Sequence, residues 1–86
     1  MIKKYVKLPV EIEAVFFCNN DRNEIIDWLD SYNIKFVMFP NEILIETLKG
    51  EIKGKINECY IIKGITDEFY CCEREVFNKT YKEVGE

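Results

Sequence analysis

Residues 58–81 read ECYIIKGITDEFYCCEREVFNKTY, 24 positions holding five aromatic residues and three cysteines in a chain that has no histidine. Two β-prone runs, YIIKG and EFYCC, flank Ile65, Thr66 and Asp67, and so predict a hairpin. Side chains alternate along a strand, which sets Tyr60 and Ile62 on one face and Ile61 and Lys63 on the other, and parts the adjacent Cys71 and Cys72 in the same way. EREVFNKTY then fits one short helix before a frayed KEVGE tail. Upstream, Lys49 and Gly50 reverse EILIETL into EIKGKI, and Pro40 and Asn41 divide that run from KFVMFP, giving a meander of short strands. Asp21 precedes Glu24 at capping-box spacing, and Ile25, Trp28, Leu29 and Tyr32 follow at helical intervals, which predicts an amphipathic helix over residues 21–32. Val10, Ile12 and Ala14 alternate with Glu11 and Glu13, predicting a first strand over residues 9–17, with Pro9 suited to an edge or a strand start. The sum is an α+β fold in a single small domain, residues 1–86. One amphipathic helix packs on a curled antiparallel sheet of about five strands, closed by a short C-terminal helix.

A chain of 86 residues buries only about 60% of the surface its unfolded form exposes, so its stability margin is thin and oligomerisation is favoured. Its 48% hydrophobic content supplies a core, and its 33% charged content is that of a folded chain and not of a disordered one. Twelve basic against sixteen acidic residues give a net charge of −4, which lacks the footprint of a protein that grips a phosphate backbone, and direct nucleic-acid binding is not expected. Apolar residues near the N-terminus are broken by lysines and glutamates, and no run approaches the roughly 18 residues of a membrane span. The reading is a cytosolic protein with no membrane partner.

Without histidine, the Ser-His and Cys-His nucleophile pairs are excluded. Glu11, Glu13, Glu46 and Asp67 could act as acids or bases, yet their spacing matches no glycosidase or metal enzyme. Cys18, Cys59, Cys71 and Cys72 form no C-x(2–4)-C pair, so they are read as small hydrophobes of a core, without metal, disulfide or cofactor. Gly50, Gly54 and Gly64 stand apart and are assigned to turns, not to a phosphate loop. Phe16, Phe17, Trp28, Phe36, Phe39, Phe69 and Phe77 fall on predicted buried stripes. Tyr60, Tyr70 and Tyr81 lie near Lys63, Arg74 and Lys79 along the chain, where an aromatic face beside a cation can stack a base while pairing a phosphate; the plainer reading is tyrosines closing the edge of a core.

KLPVEIEAVFF, EILIETLKGEI, YIIKG, EFY, Cys72, Phe77 and KTY together resemble a family of small bacteriophage and prophage proteins. That family opens on a pattern similar to R-K-K-P-V-x-V-E-A and closes on one similar to P-G-D-Y-I-I-K-G-V-K-G-E-F-Y-P-C-K-P-D-I-F-x-x-T-Y. The likeness covers nearly the whole chain. It departs where Asn57, Glu58 and Cys59 replace Pro-Gly-Asp and where Cys71 replaces a proline. The resemblance implies a non-enzymatic phage product in the host cytoplasm that counters antiviral defence. In one mechanism a homo-oligomer sequesters a small nucleotide signal through Tyr60, Lys63, Tyr70 and Arg74, the two faces of the strand meeting at a subunit contact. In a second, the acidic surface blocks a defence protein in the manner of an anti-CRISPR. A third is an accessory protein that binds another phage or host protein.

Overall fold

The computed structural model describes residues 1–85; Glu86, the end of the expected tail, lies outside them. Residues 1–12 belong to no helix or strand. The elements then run β1 (Glu13–Phe16), a 3-10 turn (Asn19–Asp21), α1 (Arg22–Ser31), β2 (Phe36–Met38), β3 (Glu42–Thr47), β4 (Gly50–Lys55), β5 (Cys59–Lys63), β6 (Phe69–Glu73) and α2 (Arg74–Thr80). The α+β class and the C-terminal helix match the sequence reading. The single sheet of about five strands does not: six strands form two three-stranded antiparallel sheets, β1-β5-β6 and β2-β3-β4. The first strand is also shorter than expected, because residues 9–12 find no partner strand.

Gly54 supplies the physical reason for two sheets. It pairs with Ile43, one pair in from the Lys55 end of the β3–β4 ladder, and a Cβ at this position would stand 2.8 Å from Cys59 Sγ and 3.0 Å from Cys71 Sγ. The β4 strand therefore presses its bare face onto β5 and β6, and does not join their edge. Gly54 is thus a packing residue, not the turn residue expected of it. Beneath it lie the thiols of Cys59 and Cys71, and Cys59 Sγ donates to the Lys55 carbonyl at 3.5 Å. Pairing with Cys59, together with burial, pushes the Cys71 thiol well above its ordinary value and keeps it protonated. All four cysteines are free thiols, and Cys71 and Cys72 do face opposite sides of β6.

Between the sheets and α1 lies the main core of Phe17, Ile25, Leu29, Ile43, Ile45, Cys59, Ile61 and Phe69. Trp28 is half-buried and meets the Phe69 ring edge-on at 5.3 Å, while Tyr32 is tilted against the same ring at 5.8 Å. Of the seven aromatic residues assigned to buried stripes, Phe39 is the exception at 41% exposed, because it belongs to the turn after β2.

The capping box does not form. Asp21 is the N-cap of α1 but makes no side-chain cap; its Oδ2 accepts from Cys18 Sγ at 3.5 Å. Arg22 fastens this end of the helix instead, donating to Asn19 Oδ1 at 2.8 Å and to the carbonyls of Phe39 and Pro40. At the other end Asn33 takes φ of 57°, and the amides of Asn33 and Ile34 return to the carbonyls of Asp30 and Leu29. This is a Schellman stop, with asparagine tolerating the left-handed position. Asn57 (φ 64°) and Asp67 (φ 62°) do the same at the β4–β5 and β5–β6 turns. The predicted hairpin over Ile65, Thr66 and Asp67 is present, closed by Gly64 N–H to the Glu68 carbonyl at 2.8 Å.

Two outcomes follow from this packing. Leu29→Ala empties a fully buried site and should cost about 2–5 kcal/mol, lowering Tm by about 10 °C or more; an unchanged Tm would mean that α1 does not pack here. Gly54→Ala should cost about 1–3 kcal/mol, because the new methyl meets both sulfurs. Adding Cys59→Ala should then cost less than the two single changes summed, and strict additivity in chemical denaturation would show that the thiols are not the obstruction.

Candidate functional site

Both faces of β5 are buried. Cys59 and Ile61 face the main core, while Ile62, fully buried, lies on the opposite face with Tyr60. That outer face carries a second, aromatic cluster. Phe77 of α2 stacks on Tyr60 with centroids 3.7 Å apart and planes 8° from parallel, Phe16 leans on Tyr60 at 5.1 Å, and Tyr81 stacks on Phe77 at 4.8 Å. Lys7 closes the far end, its Nζ 3.3 Å from Tyr81 Oη and 5.0 Å from the ring centre.

The hydroxyls of Tyr70 and Tyr81 lie 3.3 Å apart. Burial, then the bond to Tyr81, pushes the Tyr70 hydroxyl up to about 12. Tyr81 is lowered, first by the hydrogen bond with Tyr70 and then by Lys7. Tyr81 therefore ionises before Tyr70.

The four residues expected to hold a ligand do not converge. Tyr60 and Tyr70 share the outer face, whereas Lys63 points to the α1 side, as strand alternation requires. Lys63 pairs with Asp67 at 3.0 Å, lies 5.1 Å from the centre of the Tyr32 ring, and is 15% exposed. The Asp67 carboxylate raises its ammonium above the ordinary range. Beside it, Glu13 Oε1 accepts from Trp28 Nε1 at 2.9 Å and from Tyr32 Oη at 3.5 Å. Arg74 is exposed at the start of α2, where its backbone N–H donates to the Glu58 carbonyl. Tyr60 has Phe77 stacked on it and Phe16 against it, which leaves its ring poorly placed to stack a base.

What the fold does assemble is an acidic edge. The β1 strand ends its sheet and pairs with β5 alone among the described strands. Two contiguous grooves follow it. One, of about 330 Å³, lies between Glu13, Ala14 and Val15 and the α1 residues Glu24 and Trp28. The other, of about 740 Å³, continues past Phe16, Tyr60, Phe77 and Tyr81. Glu11, Glu13, Asp21, Glu24 and Glu83 line this larger groove, against Lys82 as the cation of its lining. Pro9, read as the mark of an edge or a strand start, lies four residues before β1, and nothing in the sequence brought Glu24 and Glu83 to this edge.

No group of three or more potential ligands among the described residues could hold a metal ion, and none of their helices is long and apolar enough to cross a membrane. Comparison with protein-family models, curated proteins and solved structures finds no match to this chain.

The tyrosine pair has a measurable signature. A hydroxyl held above its ordinary value of about 10 favours the folded state below that pH, and the contribution is lost as pH rises from about 10 to about 12. The lowered Tyr81 hydroxyl acts with the opposite sign, adding stability above about 10. Ultraviolet titration of the folded protein should show one tyrosine ionising near 12, and Tyr70→Phe should remove that late step. A late step that survives the substitution would assign it to another tyrosine.

Proposed function

We propose that this chain is a non-enzymatic binding protein whose acidic β1 edge docks on a positively charged segment of another protein. One observation carries the reading: five carboxylates over an aromatic floor line a groove beside an unpaired strand edge. An extended basic peptide meets each of these features, since its backbone pairs with the edge, its apolar side chains cover the rings and its cations meet the carboxylates. A nucleotide meets fewer of them. Its phosphates would face the carboxylates, its base would compete with Phe77 for Tyr60, and Lys63 already answers Asp67. Through the resemblance to phage proteins, the partner is a host defence effector that exposes such a basic segment, and the place of action is the host cytoplasm. The chain would then work as a blocker, without catalysis or cofactor.

Trp28, the single tryptophan, lines the smaller groove and reports on its occupancy. Titrating the protein with an extended Lys/Val peptide should change its fluorescence, and binding should weaken with added salt. Glu11→Gln with Glu24→Gln should weaken binding roughly two- to thirtyfold, at about 0.2–1 kcal/mol per exposed charge. Binding of cyclic or ADP-ribose-type nucleotides without any response to the peptide would overturn this reading in favour of nucleotide sequestration.

A further inference from the structure

We infer that the β1 edge receives residues 1–8 of a second copy of this chain, so that two molecules exchange N-terminal arms. The inference rests on the reading above for the sign of charge that the groove accepts, and makes the neighbour's arm an occupant that a basic partner segment must displace.

The arm, MIKKYVKL, has the pattern of a strand but no strand partner. In extended form Ile2, Lys4, Val6 and Leu8 share one face and Lys3, Tyr5 and Lys7 the other. None of the described backbone hydrogen bonds outside helices and strands involves residues 1–12. Ile2 is 100% exposed, Val6 91% and Tyr5 86%. Single apolar side chains at a surface are ordinary, but an exposed run of β-prone residues with unpaired backbone is a segment suited to strand addition.

The arm cannot use the edge of its own chain as the molecule stands. It continues through Pro9, Val10, Glu11 and Ile12 into β1 with no turn in between, so arm and edge lie along one extended run. A neighbour's edge has no such restriction. There β1 offers the amides and carbonyls that point away from β5. Eight extended residues reach about 26 Å, twice the roughly 13 Å of the four-residue β1, so the arm spans the edge and both grooves. Alternate side chains of an added strand would enter the groove beside Trp28 and meet the one past Phe77 and Tyr81.

Charge points the same way. Residues 1–8 carry three lysines and no acidic residue, while residues 9–86 hold nine basic against sixteen acidic residues, a net of −7. The groove lining gathers five of those acidic residues. A cationic strand and an anionic edge on one chain are self-complementary, which suits a closed two-fold dimer in which each arm is given and received once.

Analytical ultracentrifugation of the full chain tests this. The wild type should sediment as a dimer of 10.3 kDa chains that dissociates as salt is raised. Lys3→Glu with Lys4→Glu reverses the arm without altering Lys7, whose contact with Tyr81 of its own chain the exchange gives up. Glu11→Lys with Glu24→Lys and Glu83→Lys reverses the edge at exposed positions. Each variant alone should dissociate at least tenfold more readily than wild type, and an equimolar mixture of the two should form a heterodimer, since each arm then meets an edge of opposite sign. Val6→Pro should also weaken the dimer without changing charge, because it breaks the added strand. Circular dichroism confirms that each variant is folded. A monomeric wild type, an arm-reversed variant that stays dimeric, or a mixture that does not associate overturns the exchange. The Lys/Val peptide titration, repeated on the arm-reversed protein, separates the two readings: peptide binding by a protein whose wild type is monomeric sinks the exchange and leaves the acidic edge, whereas a reversible dimer on which the freed edge ignores the peptide supports the exchange and sinks the proposed function.

Discussion

The contact between the bare backbone of Gly54 and the sulfurs of Cys59 and Cys71 decides how the two halves of the molecule meet. Any side chain at Gly54 would push β4 away from β5 and β6, and the core that Ile43, Ile45, Ile61 and Phe69 share would open with it. Because β4 rests on those strands face to face, the edge of β5 is left for β1, a strand from the opposite end of the chain. The sheet β1-β5-β6 is thereby completed by a long-range pairing, and α1, which follows β1 directly, is drawn over the same core.

The β5 strand then has two buried faces, unusual for so short a strand in a small domain, and this governs where chemistry can sit. One face is spent on the main core and the other on the ring stack with Phe16, Phe77 and Tyr81. The polar atoms near these faces are already matched: Lys63 with Asp67, Trp28 and Tyr32 with Glu13, Tyr70 with Tyr81. Among the described residues no buried side-chain nitrogen or oxygen lacks a partner. The interior is saturated, and what is left to interact is the periphery: the β1 edge, its carboxylates, and the basic arm that precedes it. A small domain with thin stability gains from covering such an edge, since unpaired backbone and exposed apolar residues are both liabilities in solution.

Local features of the fold were legible in the sequence because they depend on neighbours within a few residues. The intervals of Ile25, Trp28, Leu29 and Tyr32 gave α1 to within a residue or two, the trio Ile65, Thr66 and Asp67 gave the β5–β6 hairpin, and alternation separated Tyr60 from Lys63 and Cys71 from Cys72. The same rules failed where a distant group took over. The capping box of Asp21 and Glu24 gave way to Arg22, whose guanidinium found the carbonyls of Phe39 and Pro40 some 17 and 18 residues away.

The sequence by itself determined the class, the helices, the hairpins and the opposite faces of β5, though not the bounds of β1, since hydrophobic period and turn chemistry are properties of adjacent residues. It could not determine how six strands divide into sheets, because β4 can present its edge or its face to β5 with the same period. Only the steric room at Gly54, set by two sulfurs from other strands, chose the face. The acidic edge was decided at the same level: Glu11, Glu24 and Glu83 are spread along nearly the whole chain, and they become one surface only when β1, α1 and the C-terminal segment are brought together.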